Sequence, residues 1–158
     1  MNRAYTQVEL IVILAIIAVL FTVASVGLNS LQQQSYIDNT VETMLSDIKL
    51  QQTKAMTGDT SSTGSNSEYG IHFYSNNSYT LFKGSNYSSF DSNNFTVTQS
   101  SAISITTTFP QSNLIFAKGS GEVVGFISNQ NTITVTNTND SQNRKITINR
   151  FGVITQIQ

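Results

Sequence analysis

The residues able to do chemistry in this 158-residue chain are few and scattered. There is one histidine, His72, and no cysteine. An imidazole can move protons near neutral pH or hold a metal, but either task needs partners. His72 sits in the segment Tyr69-Gly70-Ile71-His72-Phe73, and no cluster of Cys, His and Asp has metal-ligand spacing. A lone histidine inside a strand reads as a structural or surface residue. Asp91, Glu122 and Asp140 lie in or beside segments that read as loops, without an evident partner. Asn139-Asp140 offers a calcium ion one carboxylate, whereas Ca²⁺ is held by several oxygen ligands. No G-x-S-x-G, P-loop or G-x-G-x-x-G motif occurs. The expectation is no enzyme, no metal and no cofactor.

The clustered cations are Arg144, Lys145 and Arg150. They could neutralise three phosphates, which would give weak and salt-sensitive nucleic-acid binding. The alternative is a solvated hairpin end. The formal net charge of -1 does not suggest a general polyanion binder.

Glu9 is the most informative ionisable residue. It stands one position before Leu10–Leu28, LIVILAIIAVLFTVASVGL, which carries no charge, Asn, Gln or Pro. At about 1.5 Å per residue this run covers roughly 28 Å, close to a bilayer core. A carboxylate there is costly without a partner. One reading places Glu9 at an interface, where negative charge suits a helix N-terminus. Arg3 precedes the run, and the first charges after it are Asp38 and Glu42. The positive-inside rule then puts the N-terminus in the cytoplasm and the remainder outside. An ordinary secretory signal would end in a small-residue cleavage site after its apolar run. Here Asn29–Gln34 continues a helical pattern, so the segment reads as a retained anchor.

The elements that must position these residues follow from periodicity. Ile37, Val41, Met44, Ile48 and Ala55 recur at helical spacing, flanked by Asp38, Glu42, Asp47, Lys49 and Lys54. This predicts one long helix from about Thr6 to Met56, lipid-facing first and amphipathic later. Gly58–Ser67 reads as a loop. From Glu68 the period changes to two. Strands are predicted over Tyr69–Tyr74, Tyr79–Lys83, Phe95–Gln99, Ala102–Thr108, Leu114–Ala117, Val123–Ile127, Thr132–Thr136, Lys145–Asn149 and Val153–Ile157. The expected fold class is α+β: a long N-terminal helix packed on a globular head of antiparallel sheets. Only 11% of residues are charged, and Ser, Thr and Asn fill Thr57–Asn66 and Ser85–Asn94. That polar, uncharged composition suits a head facing the periplasm or cell exterior.

Met1–Leu20, MNRAYTQVELIVILAIIAVL, resembles the class III leader and helix start of type IV pilins and type II secretion pseudopilins. In that family a short basic leader ends in a small residue. An aromatic residue, a Thr, two variable residues and a Glu follow, then an unbroken apolar helix. Ala4 stands where Gly is usual, Tyr5 where Phe is usual, and Thr6 and Glu9 match. The resemblance implies cleavage by a prepilin peptidase between Ala4 and Tyr5 and methylation of the new Tyr5 amine. It also implies that Glu9 pairs with the Tyr5 amine of a neighbouring subunit and sets axial register.

Tyr69–Phe73, Tyr79–Gly84, Ile115-Phe116 with Gly119 and Gly121, and the terminal Ile146–Ile148 with Gly152–Ile154 resemble the head of GspH/FimT-type minor pseudopilins. The implied organisation is a leader over 1–4, an assembly and transmembrane helix over 5–28, its amphipathic continuation over 29–57 and a β-rich head over 58–158. The implied function is a structural, minor subunit of a type IV pilus-like or type II secretion filament. Its partners would be other pilin subunits, the prepilin peptidase, an inner-membrane assembly platform and, before assembly, the lipid bilayer. Its location would be the inner membrane, in a single pass. Two alternatives stay open. One is a DNA-uptake minor pilin, although the related DNA-binding pilins carry Arg after the terminal glycine, where Val153 and Thr155 stand here. The other is a signal-anchored envelope protein with a binding head.

Overall fold

The computed structural model describes residues 6–58 and 67–158, and the side chains of these except 23–34. Helical backbone, α1, runs over Gln7–Thr57. The chain divides inside it into two compact units, Met1–Ser35 and Tyr36–Gln158. The side chains of α1 are described over 7–22 and 35–57.

The expected architecture, in which this helix first spans a membrane and then packs on a head, is corrected in its membrane-spanning segment. Among the described residues no helix is long and apolar enough to cross a membrane. Of the apolar run Leu10–Leu28, the side chains are described as far as Thr22. The stretch 35–57 carries Asp38, Glu42, Asp47, Lys49 and Lys54, which water must reach. The expected single-pass location in the inner membrane is corrected with it. The loop expected over Gly58–Ser67 lies, from 59 to 66, outside the described residues.

The second unit is built on the amphipathic stripe. Ile37, Val41, Met44, Ile48 and Ala55 are all buried, because steps of three, four and seven return to one helical face. Strands follow: β1 (Tyr69–Phe73), β2 (Ser78–Lys83), β3 (Phe95–Thr98), β4 (Ile103–Thr107), β5 (Asn113–Phe116), β6 (Thr132–Asn137), β7 (Asn143–Ile148) and β8 (Ile154–Ile157). They pair antiparallel in two four-stranded sheets, ordered β3-β2-β1-β5 and β4-β6-β7-β8. The chain thus leaves the first sheet at β4, returns for β5 and leaves again.

In the first sheet Ile71 lies opposite both Leu81 and Leu114. In the second, Ile105 faces Val135 and Ile133 faces Ile146. All seven side chains join the helical stripe in one core. The β1–β2 connection is closed by Asn76, whose Oδ1 accepts from the Ser78 amide at 2.9 Å and from its hydroxyl at 2.8 Å. Such side-chain capping is how Asn specifies a turn.

The strand expected over Val123–Ile127 does not form. Only Val123 bridges to Phe116, and Gly121 and Gly125, on either side, have positive φ. Glycine there lets the backbone leave the extended region without steric cost.

The helix is tied to the strands by polar bonds as well. Gln51, itself buried, donates to the Gly70 carbonyl at 2.9 Å. Gln52 Nε2 donates to the carbonyls of Gly121 (3.0 Å) and Phe151 (2.9 Å). Gly152, with φ +73°, lies so close to Gln52 that a Cβ would approach its Nε2 to 2.4 Å.

Candidate functional site

Of the first unit, the described part is the start of α1. Thr6 begins it: its carbonyl accepts from the Leu10 amide at 3.2 Å and its hydroxyl from the Glu9 amide at 3.3 Å. That is the N-cap role of threonine, which satisfies an amide that lacks a helical partner. Glu9 lies in this first turn and is exposed. Thr22 turns its hydroxyl back on the Ala18 carbonyl at 2.6 Å, so its polar group is satisfied within the helix.

Between these residues every large apolar side chain is open to the surroundings. Exposure runs from 45% at Ile13 to 70% at Val8 and 75% at Phe21. The exposed residues cover all sides of the helix rather than one stripe. Apolar surface of this extent marks a contact surface. Glu9 is the one charged side chain in 7–22. Ala4 and Tyr5, the expected cleavage and methylation positions, lie outside the described residues.

The expected cations are separated by the fold. Arg144 and Lys145 are consecutive on β7 and therefore point to opposite faces of the sheet. Arg144 shares its face with the buried Ile146 and Ile148 and reaches Asp38 on α1 at 3.6 Å. Lys145 points the other way and is exposed. Arg150 pairs with Glu122 at 4.0 Å. Two of the three positive charges are thus already matched by carboxylates.

His72 is enclosed by neighbours that sequence reasoning did not assign to it. The register of β1 and β5 sets Asn113 opposite His72, and His72 Nδ1 is 2.7 Å from Asn113 Oδ1. The Tyr87 ring stacks on the imidazole, with centroids 4.0 Å apart and planes 3° from parallel. Tyr74 meets it edge-on at 5.0 Å. The Tyr74 and Tyr87 hydroxyls are hydrogen-bonded to each other, which raises the Tyr87 hydroxyl above its ordinary value. Tyr74, two residues after His72 and so on the same face, could have been found from the alternation. Tyr87 comes from a loop and carries no such signal.

Asp140 Oδ1 accepts from the Gln142 amide at 3.1 Å, as turn residues do. Among the described residues no group of three or more His, Cys, Asp or Glu is arranged to hold a metal. Comparison with protein-family models, with curated proteins and with solved structures finds no match.

Proposed function

We propose that this chain is a structural subunit of a filament of the type IV pilin and pseudopilin kind. The observation that carries the proposal is the start of α1, whose apolar side chains are exposed on all sides with Glu9 as their only charged companion. A surface of that kind is stabilised by cover, and equivalent helices of neighbouring subunits supply cover of the same shape and polarity. The pilin-like order of Ala4, Tyr5, Thr6 and Glu9 supports the same reading.

In it, a prepilin peptidase removes Met1–Ala4 and the Tyr5 amine becomes the mature N-terminus. The Glu9 carboxylate of one subunit meets the Tyr5 amine of the next within the packed helices. A charge pair in such surroundings contributes little while intact but costs several kcal/mol when one partner is removed. The pair therefore acts on register. DNA uptake draws less support, because Arg144 faces Asp38 and Arg150 faces Glu122.

Glu9→Leu tests the proposal. The variant should be produced and processed as the parent is. Its recovery in sheared filaments or co-isolated subunit complexes should fall at least tenfold, about 1.4 kcal/mol or more in assembly free energy. Equal recovery of variant and parent overturns the assembly role of Glu9. Intact-mass measurement of the mature chain adds a second reading: loss of Met1–Ala4 with one added methyl is expected, and an unprocessed chain counts against the pathway.

A further inference from the structure

The outer strands of the two sheets are β3 and β5 in the first and β4 and β8 in the second. Two of these edges are occupied by neighbouring backbone. Val123 bridges to Phe116 of β5, and the Val124 amide donates to the Ile115 carbonyl at 2.8 Å. On β4 the Ile105 amide donates to the Asn76 carbonyl at 2.8 Å. β3 pairs with β2 on one side, and among the described residues no strand pairs with its other side. Edge strands are commonly protected by lysine, proline or a bulge. The Phe-Thr-Val-Thr of β3 has neither charge nor proline, and it keeps a regular register with β2. An unpaired edge offers a row of backbone donors and acceptors whose spacing an extended chain matches.

An open cavity of about 470 Å³ lies between α1 and this part of the first sheet. Its lining passes from Tyr69 on β1 through Leu81 on β2 to Phe95 on β3, and includes Leu50 of α1. Phe95 and Leu81 are direct cross-strand partners and so share one face. Phe95 is 65% exposed and Leu50 45%, so apolar lining stands open. The charges around the cavity balance. Lys54 and Lys83 are accompanied by Asp47, whose Oδ2 accepts the Tyr79 hydroxyl at 2.7 Å, and by Asp91. The Asp91 carboxyl is held below its ordinary range by hydrogen bonds from Asn93 and by the charge of Lys83. A side chain entering such a cavity is matched best when it is uncharged. The Tyr69 hydroxyl is buried without a hydrogen-bond partner, which leaves one bond to be made at the cavity wall.

We infer that β3 takes up an extended segment of a partner protein as a fifth strand, and that one uncharged, apolar side chain of that segment enters the cavity beside Leu50 and Phe95. Alternation puts every second side chain of such a strand on the Phe95 face. Backbone bonds to β3 supply affinity, and the cavity selects the side chain. The inference is independent of filament assembly, since none of these residues lies in the apolar start of α1.

The test uses the full chain, isotope-labelled and kept in solution by a non-ionic detergent. The probe is the pentapeptide Thr-Thr-Leu-Thr-Thr, acetylated and amidated so that it carries no charge. In one control aspartate replaces the leucine. In the other every amide is N-methylated, so the backbone cannot donate. Saturable chemical-shift changes at Leu50, Thr96 and Val97 are expected with the probe, at a dissociation constant of about 1 mM or tighter. Both controls should bind at least tenfold more weakly. Phe95→Lys, which puts a charge on an exposed position of the edge, should weaken binding about tenfold or more. Leu50→Trp, which fills the cavity and leaves the edge intact, should do the same. The inference is overturned if the probe produces no saturable shifts on β3, if either control binds as well as the probe, or if folded Phe95→Lys and Leu50→Trp chains bind unchanged. Shifts on β3 that follow protein concentration instead of peptide overturn it too, and assign the edge to a second copy of the chain.

Discussion

The Tyr79 hydroxyl donates a 2.7 Å hydrogen bond to Asp47 Oδ2, joining the start of β2 to α1. Tyr79 is fully buried, and it belongs to the same core as Met44 and Ile48 on that helix. Burial pushes the hydroxyl well above the ordinary tyrosine range, and the hydrogen bond to Asp47 and the charge of that carboxylate add to the shift. A core tyrosine is therefore kept protonated by its burial and by the contact that fastens helix to sheet.

That contact predicts an alkaline weakness. A group whose folded value is raised contributes stability in full below its unfolded value, about pH 10 for tyrosine, and loses it as the pH rises further. The second unit should lose melting temperature steadily above about pH 10. Tyr79→Phe should cost about 1–3 kcal/mol near neutral pH, because Asp47 loses its donor. The same variant should show a flatter decline at alkaline pH. Thermal melts of both chains from about pH 8 to pH 11 check this, and parallel curves would assign the alkaline loss to other groups.

Two glycines separate steric crowding from backbone strain. Gly119 and Gly152 both have positive φ, +79° and +73°. A Cβ at Gly119 would meet nothing within 4 Å, whereas one at Gly152 would press on Gln52, on the Phe116 ring at 2.9 Å and on the Gly121 carbonyl at 3.0 Å. Gly119→Ala should cost about 1–2 kcal/mol, the backbone penalty alone. Gly152→Ala should cost more, by about 1–3 kcal/mol, because Gln52 must give up its bonds to Gly121 and Phe151. Urea unfolding of the two variants gives the difference directly.

Neighbouring positions on β7 should behave in opposite ways. The Arg144–Asp38 pair is half exposed, so Arg144→Ala should change stability by less than about 1 kcal/mol. Ile146, two residues on and fully buried opposite Ile133, should cost about 2–5 kcal/mol as Ala. A large loss at Arg144 in chemical denaturation would show that the ion pair is stronger than its exposure implies.

Much of the second unit was legible before the fold was known. The stripe Ile37, Val41, Met44, Ile48 and Ala55 is a local property: helical geometry places these residues on one face whatever they pack against. Alternation marked most of the strands for the same reason. It failed at Val123–Ile127, where apolar content looked like a strand but Gly121 and Gly125 turn the backbone aside. Hydropathy and length together assigned the apolar run Leu10–Leu28 to a membrane crossing. The described helical stretches do not meet that criterion.

What the sequence by itself determined was therefore each segment's periodicity and which of its faces is apolar. The tertiary structure alone decided which segments meet. The division of the described strands into two sheets, the pairing of Arg144 with Asp38, and the meeting of Lys54, Tyr69 and Lys83 all join residues far apart in the chain. Periodicity is encoded within a few residues by backbone geometry. Register and sheet order are set by whichever packing buries the apolar faces together with the fewest unpaired polar groups. That second condition belongs to the whole chain at once, and no local pattern records it.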